Sequence, residues 1–303
     1  MIKPVSLCVS TLFALSLFAC GDDESSGGGG SGSQGGDNAG AGSQGGDNEG
    51  AGSQGGDNAG GSGGAPAGNA QVRVAHLSPD APDVDFCLVP EGAAPVGPVL
   101  QSVGVNDGLA FPGVTGYLPV AAGTYAVRLL GADATTCDDD LGIPDFTGIA
   151  VSADTNYTVA ATGMVTPAAN DEAFDLKAYV DSLEVAADKI SVRFIHLSPD
   201  TPNVDVGLGS GAEFTALFTN VPYGSVGQVA GEDYLEAGPL ADVTISARAT
   251  GTTADALVIP GVDVPAGAVV TAFAIGNLDG TPAELQALVC VDNAATPTCS
   301  ALP

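Results

Sequence analysis

Val72-Arg73-Val74-Ala75-His76-Leu77-Ser78-Pro79-Asp80-Ala81-Pro82-Asp83-Val84-Asp85 returns 120 residues later as Val192-Arg193-Phe194-Ile195-His196-Leu197-Ser198-Pro199-Asp200-Thr201-Pro202-Asn203-Val204-Asp205. Ten of the fourteen paired positions are identical, and they include both histidines of the 303-residue chain. A match this long at one offset makes the chain a tandem of two related units rather than one large fold. Within each copy, Pro79 and Pro199 preset φ for a β-turn. Ser78 and Asp80, like Ser198 and Asp200, can bond nearby backbone N–H groups. Val84, Phe86 and Leu88 then resume a period-two strand, as do Val204, Val206 and Leu208. The phrase therefore reads as a rigid strand–turn–strand corner.

Outward from the two corners, short runs of Val, Ala, Thr and Tyr alternate with Gly, Pro and Asp turns about every ten residues, the pattern of a sandwich or barrel. Tyr125, Val127 and Leu129 share one face at period two, and Phe174, Leu176, Ala178 and Val180 alternate as a strand rather than a helix. The expected fold is all-β: two tandem antiparallel β-sandwich domains, residues 71–188 and 189–303. Ala186-Ala187-Asp188-Lys189 joins them and should limit their relative angles. Each unit, at about 115 residues, has enough chain for its own core and is expected to fold alone. Further along, Tyr117-Leu118 overlays Tyr234-Leu235, and Asp154–Val159 overlays Ala266–Thr271.

The ends place the tandem in a cell. Residues 1–20 read as an export signal, with Lys3 before an apolar run from Val5 to Ala19 that is too short for a membrane span. The run closes in Leu17-Phe18-Ala19-Cys20-Gly21, which resembles a bacterial lipobox with Cys20 as the lipidated residue. Gly21 does not resemble an inner-membrane retention signal. The expected address is therefore a lipid anchor in the cell envelope, at the outer membrane of a Gram-negative bacterium. Residues 21–70 are Gly, Ser, Asn, Gln and Asp with a recurring Ser-Gln-Gly-Gly-Asp-Asn unit from Ser33, Ser43 and Ser53. Nothing there can offset the entropy of ordering, so a disordered tether is expected. Such a coil spans roughly 40 Å.

Without Lys3, six basic residues face 36 acidic ones, a net charge of −30. That field disfavours nucleic acid as a partner. The expected partners are the membrane, through the anchor, and a surface protein or polysaccharide. With Cys8 lost and Cys20 lipidated, Cys87, Cys137, Cys290 and Cys299 remain, an even number in an oxidising compartment. Four cysteines allow three pairings. Two fall in each unit, so Cys87–Cys137 and Cys290–Cys299 is the economical choice. Position 207, the repeat counterpart of Cys87, is glycine.

The His-Leu-Ser-Pro-Asp-x-Pro-x-Val-Asp phrase, with Val221-Pro222-Tyr223-Gly224 and Tyr117–Tyr125 after it, resembles a bacterial family of exported domains of unknown function. These occur in tandem in lipoproteins and other surface proteins. The resemblance covers nearly everything from residue 71 onward, and the second unit departs from it at Gly238–Asp242. The Gly-Thr-Tyr strand is also similar to those of immunoglobulin-like and transthyretin-like sandwiches, a fold-level analogy. The family brings no catalytic residues to carry over, and no cofactor is expected.

The chemistry-bearing residues concentrate in the corners. His76, Ser78 and Asp80 are the residue types of a hydrolytic triad, and His196, Ser198 and Asp200 repeat them. Strand positions two apart lie about 6.6–6.8 Å from each other, which is wrong for a Ser–His pair, and no nucleophile elbow accompanies them. Asp80, Asp83, Asp85, Asp200 and Asp205 are candidate calcium ligands, though without EF-hand spacing. A non-enzymatic surface module for adhesion, ligand binding or envelope structure is the favoured function. The alternative is an extracellular hydrolase or a calcium-dependent binding domain.

Overall fold

The computed structural model describes residues 68–294 and 298–303. Residues 1–67, on which the expected export signal, the lipidation candidate Cys20 and most of the expected tether fall, lie outside the described residues. The chain of the first half runs β1 (Asn69–His76), β2 (Val84–Pro90), the one-turn helix α1 (Val99–Ser102), β3 (Gly113–Val114), β4 (Leu118–Ala121), β5 (Gly123–Gly131), β6 (Phe146–Val151), β7 (Asn156–Thr162) and β8 (Asp175–Asp181). The second half runs β9 (Ile190–His196), β10 (Val204–Leu208), β11 (Thr215–Val221), β12 (Leu235–Ala237), β13 (Leu240–Ala249), β14 (Leu257–Val264), β15 (Val269–Ile275), β16 (Gln286–Val291) and β17 (Thr298–Leu302). β1 begins two residues inside the segment assigned to the tether.

Each half is a two-sheet sandwich. In the first, β3-β1-β7-β8, with β4 on the same edge of β1 as β3, faces β2-β5-β6. In the second, β12-β9-β15-β16-β17 faces β11-β10-β13-β14. The chain is all-β, as expected, but the sheets are not purely antiparallel: β1 pairs β7 and β9 pairs β15 in parallel. The physical reason is the crossover. After each corner the chain leaves for the opposite sheet and returns beside its first strand from the same end, which is a parallel pairing.

Register also corrects one overlay. Val72 lies opposite Tyr157, and Val192 opposite Val270, so Thr158 corresponds to Thr271 and the 154–159 alignment is off by one. A one-residue slip exchanges the two faces of a strand. The Tyr117-Leu118 overlay agrees with the register, since Leu118 pairs Val72 and Leu235 pairs Val192.

Alternation then builds three packed layers. Val74 on β1 turns into the first sandwich with Phe86, Leu100, Val127 and Leu129. Phe194 on β9 turns into the second with Val204, Val206 and Phe218. The opposite faces of the same strands meet each other. Ala75, Leu77, Ala160 and Tyr179 from the first half form one buried cluster with Ile195, Leu197, Phe273, Ile275 and Leu288 from the second. The two halves therefore share a core, which argues against independent folding. Along β8 and the residue before it the alternation divides accordingly: Phe174 and Leu176 pack into the first sandwich, Tyr179 enters the shared cluster, and Val180 is exposed.

Two disulfides close the ends. Cys87–Cys137 spans 50 residues, and Cys290–Cys299 joins directly opposed residues of β16 and β17. Gly207, opposite Cys87 in the repeat, lies so close to the β11 backbone at Thr215 that no side chain fits. In the chain-entropy account the longer loop contributes about 4 kcal/mol and the nine-residue one about 2.6 kcal/mol. Cys87→Ser should therefore lower unfolding free energy in urea by about 1.5 kcal/mol more than Cys299→Ser. Equal losses would show that the loop-length account fails here.

Candidate functional site

The corners are built alike. His76 Nε2 donates to the Pro82 carbonyl at 3.0 Å, and His196 Nε2 reaches the carbonyls of Thr201 and Pro202 at 3.2 Å each. Because a carbonyl only accepts, Nε2 carries the proton in both rings. Nδ1 is buried without a partner in both. Ser78 Oγ donates to the carbonyl of Gly163, and Ser198 Oγ to that of Gly276, both at 2.6 Å. These two glycines hold φ of +81° and +76° and abut the backbones of Ala173 and Glu284, so the position admits no side chain. Asp80 accepts from the N–H groups of Val165 and Thr166, and Asp200 from those of Leu278 and Asp279.

Each motif residue thus has a backbone task. The imidazole ties the turn to its own strand, the serine ties the turn to the end of β7 or β15, and the aspartate holds the loop beyond. No Ser–His hydrogen bond exists in either corner, since Nε2 serves a carbonyl and Nδ1 has no partner. A serine whose proton is given to a carbonyl is not activated for attack.

The acidic candidates are also occupied separately. Asp85, fully buried, accepts from the N–H groups of Phe86, Leu100 and Gln101 and so holds α1. Asp205 accepts from the Asn220 N–H and the Thr250 hydroxyl. Asp83 is exposed. Among the described residues no three His, Cys, Asp or Glu side chains gather closely enough to hold a metal ion.

Burial lowers the pKa of both imidazoles, against the upward pull of their carbonyl hydrogen bonds. The folded state therefore binds fewer protons than the unfolded chain, whose histidines titrate near 6.5. Stability is fully present above about pH 6.5 and declines as pH falls through that value toward the lowered folded pKa values. Asp139, Asp145 and Asp255, whose pKa values are lowered by hydrogen bonds, add their own losses only below about pH 4. Melting temperature should thus begin to drop between pH 6.5 and 5, and His76→Gln should flatten that first drop. An unchanged slope in the variant would remove the imidazole from this role.

The densest polar constellation lies between the halves, and sequence reading did not find it. Arg73 Nε donates to Thr158 Oγ1 at 2.7 Å, and Thr158 Oγ1 donates to Asp181 at 2.7 Å. Arg193 Nε donates to Thr271 Oγ1 at 3.1 Å, and Thr271 Oγ1 donates to Asp292 at 2.5 Å. The arginines then cross over: Arg73 reaches Asp292 at 2.6 Å, and Arg193 reaches Asp181 at 2.5 Å. Tyr117 lies under Arg73 and Tyr234 under Arg193, with centroids 5.4 and 4.9 Å away. The Tyr117 hydroxyl donates to Asp181.

Each half thus offers the same Arg-Thr-Asp-Tyr set to the other, in the reciprocal manner of an isologous interface. All four charged side chains are buried. Burial pushes the Asp292 carboxyl upward against the attraction of Arg73. Around the network, the Tyr179 hydroxyl donates to the Gly224 carbonyl, and Thr162 and Tyr223 share a hydrogen bond at 2.7 Å.

Fold and corners together define an all-β module whose repeated motif is committed to architecture. Residues 92–207 match the sequence profile of a family described as "Domain of unknown function (DUF4397)". That is 116 of the chain's 303 residues, running from just past β2 into β10 and so across the junction of the halves. No match is found among curated proteins. A solved structure described as a "putative cell adhesion protein" from Bacteroides ovatus ATCC 8483 aligns over 77% of this chain and 96% of its own. It is 10% identical with a TM-score of 0.18, a similarity too low to carry a conclusion about fold or role.

Proposed function

We propose that this chain is a non-enzymatic cell-envelope lipoprotein, anchored through Cys20 at the outer membrane of a Gram-negative bacterium. The Gly-rich tether holds two paired sandwiches clear of the lipid, as one rigid module for adhesion, ligand binding or envelope structure. The observation that carries this reading is the engagement of His76, Ser78, Asp80 and their counterparts with backbone groups, which gives each serine proton to a carbonyl and leaves no Ser–His pair in either corner. The lipobox and the spacer supply the address. A surface protein or polysaccharide is the partner this module fits.

Four experiments test the reading. Cys20→Ala should move the protein from the detergent to the aqueous phase on phase separation, and unchanged partitioning would remove the anchor. Cross-linking on intact cells, with a polysaccharide pull-down alongside, should capture an envelope partner. A hydrolytic activity lost in His76→Gln or His196→Gln, with the melt preserved, would overturn the non-enzymatic reading. A rise of several degrees in melting temperature at millimolar calcium would establish a calcium-dependent domain instead.

A further inference from the structure

The interior of the first sandwich is not fully packed. Between its sheets lies a cavity of about 60 Å³, against the roughly 10–15 Å³ that a cavity needs on the same measure to hold one water. Its walls include Val72 and Val74 of β1, Phe86 of β2, Val127 and Leu129 of β5, and Leu100 of α1. The lining is almost wholly apolar. His76 borders it, but the unpartnered Nδ1 recurs in His196, so that atom belongs to the corner motif rather than to the cavity. An apolar void of this kind stays dry. It also lowers stability in proportion to its volume, whereas protein interiors are generally packed to leave few such spaces.

The second half builds the same region differently. Where the first has Val74, the second has Phe194, buried with its ring 5.9 Å from that of Phe218 on β11. β11 is a seven-residue strand paired to β10. In its place the first half has α1, a four-residue helix whose Leu100 and Gln101 N–H groups hang on the Asp85 carboxylate. Val96 and Val103 flank α1 with 59% and 48% of their surface exposed. One wall of the cavity is therefore a short tethered segment with apolar surface on both sides, not a sheet strand.

We propose that this cavity is a binding site for a small apolar molecule, such as the end of an alkyl chain, admitted beneath α1. It goes beyond the display reading, and the two fail separately, because the test needs neither membrane nor anchor. The full chain carrying Cys20→Ala avoids detergent and serves as the parent. Dissolved xenon should show a protein-dependent ¹²⁹Xe shift with the parent that is lost in Val74→Phe, which places in the first half the ring that Phe194 supplies in the second. Saturating n-hexane should raise the parent's melting temperature by about 3 °C and leave Val74→Phe unmoved. If Val74→Phe does not fold, Ile149→Phe closes the space from the facing sheet and serves the same comparison. A xenon shift that is absent from the parent, or equal in parent and plugged variant, overturns the site. An absent hexane response in the parent overturns the alkyl assignment.

Discussion

Asp181→Ala should be the most destabilising single substitution among the charged residues, lowering unfolding free energy by about 3–5 kcal/mol. Asp181 is fully buried as a side chain and receives the Thr158 hydroxyl, the Tyr117 hydroxyl and the Arg193 guanidinium at 2.5–2.8 Å. Its removal strands Arg193 in the seam with no carboxylate from the other half, and an unpaired buried charge is far more costly than a lost surface pair. On a module of this size the melting temperature should fall on the order of 10 °C. The control is Asp175→Ala on the same strand. Its partner Lys177 lies 3.1 Å away, but the two side chains are 28% and 50% exposed, and such a pair contributes at most about 1 kcal/mol. Urea unfolding of both variants decides the matter, and similar losses would mean that the seam is wetter than its geometry implies. Replacing Arg73, Arg193, Asp181 and Asp292 together by Met and Leu should recover much of the loss, since a buried ion network generally exceeds an apolar one in specificity, not in stability.

The strands and corners were legible in the sequence because their signals are local. Pro79 and Pro199 fix turns, and the period-two face of Tyr125, Val127 and Leu129 packs inward as read. The disulfide pairs follow the economy of two cysteines per half. What was not legible is the second face of the motif-bearing sheets. Alternation assigns one buried side to each strand, yet β7 and β15 are buried on both. Their sequences, Tyr157-Thr158-Val159-Ala160-Ala161-Thr162 and Val269-Val270-Thr271-Ala272-Phe273-Ala274-Ile275, are near-continuous small and apolar runs. That is the composition of a parallel strand covered on both sides, and it was the available clue to both the parallel pairing and the shared core. Arg73 and Arg193 stood in the repeated phrase without a role assigned to them, because arginine is seldom buried without partners. Those partners, Asp181 and Asp292, lie 12 and 219 residues from Arg193 and Arg73, which they serve. The cross-pairing follows from the tertiary meeting of two sheets, which one sequence does not encode as spacing.

Cutting the chain at the 186–189 connection should give a first half, residues 68–188, that is not a stable monomer. Separation exposes the face carrying Ala75, Leu77, Ala160 and Tyr179, and leaves Arg73 and Asp181 without Asp292 and Arg193. The apolar surface alone favours reassociation. The charges favour a particular geometry, because one half carries both members of the crossed pair: its Arg73 can take the Asp181 of a second copy, as it takes Asp292 in the intact chain. The interface is already reciprocal, so a copy of the first half fits where the second half sat, with two-fold symmetry. Sedimentation equilibrium of residues 68–188 should therefore show a dimer whose melt depends on concentration. Asp181→Asn, which deletes the charge from both ends of that symmetric contact, should return the fragment to a poorly folded monomer. A fragment that stays monomeric with a sharp, concentration-independent melt would show that each sandwich carries its own sufficient core, and that the seam joins two finished domains.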